Sequence, residues 1–277
     1  MLTSTVLRTN TVSFGYDTKE VLHDISVCIH RGSLTGIIGP NGSGKTSLLR
    51  LLSGVYPPTT GQVTLEGQDL ANYSRKTLAR RLAAIQQQTE TTFDYTVLEI
   101  VLMGRYPHLE NFGIEGPLDL ELATQALAAT GTSDLASRAF STLSGGEKQR
   151  VVIAGALAQL SSTNPTVIES NILLLDEPTT SLDLNYQLEI GSLLQNLNET
   201  GITMVVSTHD LNLAASVCRD LIVLRDGKVV ACGKTEDVLT EETVRHLYGV
   251  NVHIAHNSAA GHLLVVPMRQ HRREPYD

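Results

Sequence analysis

The chain has 277 residues, 42% of them hydrophobic and 18% charged, the composition of an ordinary globular protein long enough for a large core, with one domain or one plus an insertion. Its net charge of −8 argues against an electrostatic nucleic-acid footprint, so no nucleic-acid partner is expected. No run approaches the ~18 apolar residues of a membrane span, the N-terminus lacks a signal pattern, and Cys28, Cys218 and Cys232 show no paired or metal-like spacing, so a soluble cytoplasmic chain with buried thiols is expected.

Residues 2–14 and 21–29 alternate apolar and polar positions as half-buried strands do, with Gly15-Tyr16-Asp17 as the turn between them. Tyr16 is open to two readings, a strand-end packing residue or a platform for a nucleobase. Leu34 to Ile38 reads as a short buried strand, and Ser47 to Leu52 as a helix. Between them GPNGSGKT, Gly39 to Thr46, satisfies the P-loop pattern G-x-x-x-x-G-K-[ST]. Glycines let successive N–H groups curl into a nest for phosphate oxygens, and the helix N-terminus adds its partial charge there. Lys45 is expected at the β- and γ-phosphates of a nucleoside triphosphate, and the Thr46 hydroxyl on Mg²⁺.

Residues 62–66 continue as a strand, Asp69 to Arg81 as a basic amphipathic helix with a solvated Arg75, Lys76, Arg80 and Arg81 face, and Leu82 to Ile85 as a buried strand. Gln86, Gln87 and Gln88 follow; an amide there either ligates Mg²⁺ or simply begins a polar loop. From about Thr89 to Leu160 the texture is helical, with patterns at 97–102 and 118–129 broken by Tyr106-Pro107 and residues 111–117. Leu143-Ser-Gly-Gly-Glu147 then bares a helix N-terminus capped by Ser144, a second anion cup or an ordinary capped helix.

After a polar stretch at 161–171, Ile172 to Leu175 is an unbroken apolar strand ending in Asp176-Glu177-Pro178. Beside a P-loop, the first acid suits Mg²⁺ and the second an attacking water. Ser181-Leu182-Asp183 lies in a loop, residues 184–197 in a helix, and Thr203 to Ser207 in a core strand ending at Thr208-His209-Asp210. His209 contacts phosphate, holds Glu177 or is structural. Strands at 221–225 and 228–232 flank an Asp226-Gly227 turn, a helical tail spans 235–248, and residues 251–277 form an extension expected to pack loosely, its His253, His256, His262 and His271 lacking regular ligand spacing.

Taken in order, these motifs resemble the nucleotide-binding subunit of ATP-binding-cassette (ABC) transporters over roughly residues 5–250. GPNGSGKT resembles Walker A, LSGGE at Leu143 to Glu147 the signature motif, ILLLDE at Ile172 to Glu177 Walker B, residues 181–183 the D-loop and His209 the switch histidine. The resemblance implies an α/β fold: a P-loop NTPase core, a mixed sheet flanked by helices, with an antiparallel β subdomain and an inserted α-helical subdomain. The ATPase domain would span 1–250, its helical subdomain about 89–160, followed by the 251–277 extension.

The resemblance also assigns sites. Tyr16 and Gly39, Pro40, Asn41, Gly42, Ser43, Gly44, Lys45, Thr46 and Ser47 would bind ATP. Thr46, Gln87 and Asp176 would hold Mg²⁺, and Glu177, His209 and Gln87 would carry the catalysis. Gln87 fits the Q-loop better than Gln86, which stands where the family usually has proline. Ser144, Gly145, Gly146, Glu147 and Asp183 would contact the nucleotide of the other subunit in a head-to-tail homodimer. Glu147 replaces a frequent Gln, a change expected to be tolerated because backbone N–H groups carry most of the phosphate contact.

The stretch from Thr96 to His108, TVLEIVLMGRYPH, resembles importers of iron–siderophore complexes, haem and cobalamin, and the polar 161–171 insertion looks closer to the haem and cobalamin members. The expected partners are integral membrane permease subunits and, indirectly, a substrate-binding protein, with the chain peripheral at the cytoplasmic face of the cell membrane. The alternative is a soluble ABC ATPase, for example in iron–sulfur cluster assembly.

Overall fold

A computed structural model of the chain describes residues 4–86, 94–110, 113–162 and 171–268. The chain begins with two long antiparallel strands, β1 (Thr5–Tyr16) and β2 (Lys19–His30), then dives into the core as β3 (Leu34–Ile38) and α1 (Lys45–Leu52). It returns to the surface as β4 (Thr60–Leu65) and β5 (Gln68–Asp69), followed by α2 (Arg75–Arg81) and β6 (Leu82–Ile85). Three helices come next, α3 (Val97–Met103), α4 (Pro117–Ala129) and α5 (Gly145–Leu160). β7 (Ile172–Asp176), α6 (Leu184–Glu199), β8 (Thr203–Thr208), α7 (Leu211–Val217), β9 (Asp220–Arg225) and β10 (Lys228–Lys234) complete the core. The chain ends in α8 (Thr235–Val238), α9 (Glu241–Tyr248) and a hairpin of β11 (Val252–Asn257) and β12 (His262–Pro267).

One sheet has the order β2-β1-β4-β5 and is antiparallel; the main sheet has the order β10-β9-β3-β8-β7-β6. Its five inner and edge strands from β9 to β6 run parallel and β10 is antiparallel to β9. β3, β7 and β8 are buried along their whole length, as the unbroken apolar runs of a parallel sheet covered on both faces require. One face packs on α1 and the antiparallel sheet through Leu48, Leu52, Val205 and Ile222. The other packs on α5, α6 and α7 through Leu173, Leu194 and Val206. The strands place Gly39, Gln86, Glu177 and His209 just beyond the carboxyl ends of β3, β6, β7 and β8, the edge at which open α/β sheets bind ligands.

The helical block is tied together by a buried cation. Arg105, fully buried, bonds Asp119 at 2.9 Å and the carbonyls of Ala158 and Ser161. Asp119 also accepts from the Gly116 N–H at 3.0 Å, so one carboxylate caps α4 and neutralises the arginine beneath it.

Four expectations are corrected. Residues 69–81 do not form one helix: Asp69 caps a short 3₁₀ turn at Leu70–Asn72 and Ser74 then caps α2, because both side chains satisfy N–H groups that would otherwise continue a helix. The basic face of that region is not simply solvated. Arg81 is buried against Glu66 and Tyr73, and Lys76 and Arg80 donate to the carbonyls of Leu109 and Pro107.

Only Cys218 is a buried thiol, its pKa pushed up to about 12 by burial and then by Asp220. Cys28 and Cys232 lie on exposed faces of β2 and β10. Finally, residues 252–267 are not loosely packed: β12 docks on α7, where Asn212 bonds the Val265 carbonyl and accepts its N–H, and Val252 and Val265 enter the core.

Candidate nucleotide site

At Gly39 the chain turns out of β3 so close to β9 that a Cβ would lie 2.2 Å from the Leu224 carbonyl oxygen, which only glycine avoids. Gly44 begins α1 in the left-handed region (φ 103) with no side chain capping the helix, so the first-turn N–H groups stay open to an external acceptor. The Ser43 hydroxyl is buried with no hydrogen-bond partner. Lys45, 6% exposed, donates to the carbonyls of Gly39 (3.0 Å) and Pro40 (3.3 Å) and stands 3.8 Å from Glu177 Oε1. Burial pulls its pKa below the usual ammonium value, opposed by Glu177 and Asp176. An open helix start, an orphaned hydroxyl and a lysine held on weak carbonyl acceptors all fit a polyphosphate.

The register of the main sheet sets Asp176 opposite Ser207, and Ser207 organises both acids. Its hydroxyl donates to Asp176 and accepts the Glu177 N–H at 3.1 Å. Glu177 takes a left-handed backbone (φ 48), uncommon for a residue with a side chain and concentrated at functional sites. Its Oε2 accepts from the Thr180 hydroxyl at 2.9 Å and faces His209 Nδ1 at 3.2 Å. His209 is 54% exposed. Glu177 and His209 line a cleft of about 680 Å³ with Pro40, Asn41, Thr180 and Tyr248. Asp176, Glu177, His209 and the P-loop are thus gathered in one place.

Tyr16 sits at the end of β1 over α1. Its hydroxyl accepts from Arg50 at 3.0 Å and lies 3.4 Å from the Ser47 hydroxyl, while its ring meets Phe14 and Tyr56 edge-on. It therefore packs at a strand end and also stands beside the P-loop helix. Gln86 is exposed at the end of β6; Gln87 lies outside the described residues.

The second cup is separate, because Ser144, Gly145, Gly146 and Glu147 do not line the cleft. Ser144 caps α5 by accepting the Glu147 N–H at 3.3 Å, and Glu147 accepts the Ser144 N–H at 2.8 Å. That backbone bond, with the Ser144 hydroxyl, holds the Glu147 carboxyl below its ordinary pKa. Gly146 lies under the Tyr186 ring, where a Cβ would fall 2.1 Å from Cδ1, and Ser144 donates to the Tyr186 hydroxyl at 3.3 Å. Asp183 caps α6 by accepting the Tyr186 N–H at 3.1 Å, so it shares this neighbourhood.

Ser207, Thr180, Tyr186 and Tyr248 belong to the two sites and escape a reading of motifs. Ser207 was legible as a polar residue closing a buried strand next to His209. Tyr186 and Tyr248 carry no local signal, since their places depend on how α6 and α9 pack. Among the described residues no group of three or more His, Cys, Asp or Glu is gathered to hold a metal on its own; His253 pairs with Glu241 and His262 with the Leu263 carbonyl.

Comparison with known proteins agrees with this geometry. The ABC transporter family model matches residues 22–180. The ferric enterobactin transport ATP-binding protein FepC of Escherichia coli (strain K12) is 42% identical over 95% of this chain and 94% of its own length. The hemin import ATP-binding protein HmuV of Gloeobacter violaceus is 40% identical over 90% of each chain. A metal-chelate type ABC transporter solved in an inward-facing conformation superposes with a TM-score of 0.81 at 29% identity, covering 96% of this chain and 98% of that one. An ATP-binding cassette solved in its ADP conformation, MJ1267, gives a TM-score of 0.77 at 25% identity, covering 89% of this chain and 99% of that one. A P-loop core, an antiparallel sheet, a helical block and a family match across more than half its length identify the chain as an ATP-binding, ATP-hydrolysing subunit of the ABC transporter family.

Proposed function

We propose that this subunit drives import of an iron chelate, haem or cobalamin through a membrane permease. The observation that carries the chemical part of this reading is that Glu177, in the cleft beyond the sheet edge, stands 3.8 Å from the buried Lys45 and 3.2 Å from His209, which lines the same cleft. ATP lies along Gly39 to Ser47 with its base beside Tyr16, and Lys45 exchanges the Gly39 and Pro40 carbonyls for phosphate oxygens. Glu177, oriented by Thr180 and His209, accepts a proton from the attacking water. Thr46, Asp176 and Gln87 are the groups that would hold Mg²⁺, which supplies charge neutralisation on the phosphates; the hydroxyl–carboxylate–amide donor set suits a hard cation that also takes phosphate oxygens.

Hydrolysis requires a second copy of the chain. Ser144, Gly145, Gly146, Glu147 and Asp183 sit outside the cleft of their own subunit, and the glycine-bearing N-terminus of α5 suits the γ-phosphate bound by a partner. Glu147 takes part through its backbone, its carboxylate being occupied by the cap. Closing the dimer completes the site, and release of products opens it.

The permease and substrate class rest on FepC, HmuV and the metal-chelate transporter as relatives. No helix among the described residues is long and apolar enough to cross a membrane, which fits a peripheral subunit at the cytoplasmic face, supplied by an external substrate-binding protein. Tagged Glu177→Gln chain recovered from solubilised native membranes tests this. A polytopic permease should accompany it and release on ATP hydrolysis by the wild type. Recovery from the soluble fraction with cluster-assembly or ribosomal partners would contradict it.

A further inference from the structure

The middle of β8 is apolar, and its last two residues are hydroxylic. Val205 packs on the side of α1 and the antiparallel sheet, Val206 on the side of α5, α6 and α7. Alternation along the strand therefore turns Ser207 to the α1 side with Val205. β7 runs parallel beside it in a register that pairs Asp176 with Ser207, and Leu174, two residues before Asp176, packs on that same side. Two strands thus deliver a carboxylate and a hydroxyl side by side at the edge of the sheet. Ser207 is fully buried, so solvent cannot stand in for its hydroxyl.

A serine hydroxyl has one proton to give and two lone pairs to receive with. At Ser207 the proton goes to Asp176, and a lone pair accepts the Glu177 N–H at 3.1 Å. The same N–H reaches the Ser207 carbonyl, also at 3.1 Å, so both acceptors of one residue hold it. Donation to a carboxylate makes the hydroxyl a stronger acceptor and fixes where its lone pairs point. Asp176 is thereby the post that aims Ser207 at the residue following it. That residue needs holding: Glu177 has a left-handed backbone (φ 48) and precedes Pro178. A side-chain-bearing residue stays in such a conformation only where its surroundings over-determine it. Thr180 holds the other side of the turn, its N–H on the Glu177 carbonyl at 3.2 Å and its hydroxyl on the carboxylate at 2.9 Å.

We propose that Ser207 is a positioning residue for hydrolysis: its hydroxyl, aimed by Asp176, holds the backbone of Glu177 so that the carboxylate meets the attacking water. This rests on the reading of Glu177 as proton acceptor given above. Ser207 does not line the cleft, so its contribution enters the chemical step and not the binding of ATP, which the P-loop supplies from β3 and α1. Without the hydroxyl the Glu177 N–H keeps the Ser207 carbonyl alone, and the aim from Asp176 is lost. Loss of one buried hydrogen bond of this kind corresponds to about a tenfold fall in kcat.

The test compares steady-state ATP hydrolysis by the full-length wild-type chain and its Ser207→Ala and Ser207→Thr variants, with equilibrium Mg-AMP-PNP binding and thermal unfolding alongside. Ser207→Thr keeps the hydroxyl on a β-branched side chain that strands accept. Ser207→Cys, a weak donor, carries the comparison if Ser207→Ala does not fold. The expected result is a kcat about tenfold lower in Ser207→Ala, with KM and Mg-AMP-PNP affinity within about twofold of wild type. Ser207→Thr should recover most of the lost rate. An unchanged kcat in Ser207→Ala, an equal loss in nucleotide affinity, or an equal loss of kcat in Ser207→Thr overturns the proposal. So does a loss that raised Mg²⁺ abolishes, which would put the effect at Asp176 alone. Glu177→Gln is measured in parallel. Hydrolysis at the wild-type rate removes Glu177 as proton acceptor and the role of Ser207 with it; an inactive Glu177→Gln beside a fully active Ser207→Ala removes Ser207 alone.

Discussion

At the scale of single residues, Gly146 illustrates how one position answers to two demands. Within a helix, Gly→Ala ordinarily stabilises by about 0.5–1 kcal/mol through backbone entropy. Here the new methyl would meet the Tyr186 ring at 2.1 Å, and that ring is held by its own chain and by Ser144. Overpacking of this kind costs about 1–3 kcal/mol, so the clash wins and Gly146→Ala should lower stability. Adding Tyr186→Ala should return most of that loss in chemical unfolding, because it removes the obstructing ring. Lys45→Ala is the second residue-scale expectation: without the ammonium, Mg-ATP affinity should fall by tenfold or more, on the order of one charge-assisted hydrogen bond, as read by equilibrium binding.

At the scale of elements, the same N-terminal device recurs. Thr96–Glu99 on α3 and Ser144–Glu147 on α5 are reciprocal capping boxes. In both, the backbone N–H of the capping residue holds the glutamate below its ordinary pKa. A depressed carboxylate contributes stability that is present above its unfolded pKa and lost as pH falls through the folded value. Replacing Glu147 by Gln keeps an acceptor for the Ser144 N–H but removes the titration, so the stability difference between wild type and Glu147→Gln should shrink as pH is lowered from about 6 to about 3. Melting curves across that range check it.

Asp119 is a harder constraint. Asp119→Asn leaves a fully buried Arg105 without its counter-charge and should cost about 3 kcal/mol in chemical unfolding.

Elements were also where the sequence spoke most clearly. The core strands β3, β6, β7 and β8 are short and predominantly apolar, with only small Thr, Ser or Gly among the residues before their ends, and those ends announce themselves by Gly39, the glutamines, Asp176 and Thr208. Helix starts at Thr96, Ser144 and Asp183 were legible because cap chemistry is local. The split of residues 69–81 was not read, because an amphipathic pattern runs across it; Asp69 and Ser74, which cap the two pieces, are the local signal that marks it. The C-terminal hairpin was not legible, and residues 251–277 read as a loosely packed extension, because Asn212 meets Val265 only across 53 residues of chain. Tyr248 and Tyr186 were invisible for the same reason. Motif reading finds groups whose chemistry is fixed by neighbours in sequence and misses those delivered by a distant helix.

At the scale of the whole molecule, two half-sites lie apart on one chain. The cleft is lined by Glu177 and His209, with Lys45 3.8 Å from Glu177, whereas Ser144, Gly146 and Asp183 cluster beside Tyr186. Directly after Asp183, Leu184 and Leu188 project from α6 at 70% and 63% exposure, an apolar pair next to the second half-site that a partner subunit would cover. In the proposed head-to-tail pair each cleft would meet the other copy's cup, and nucleotide hydrolysis would then govern how long the pair stays closed.

The most direct test is the oligomeric state of purified Glu177→Gln with Mg-ATP, by size-exclusion chromatography with light scattering. Removing the proton acceptor while keeping the side-chain shape should leave ATP binding intact and trap a dimer, with wild type returning to monomer as ATP is consumed. A variant that hydrolyses ATP at the wild-type rate would contradict the role of Glu177. One that binds ATP yet remains monomeric would contradict the shared site.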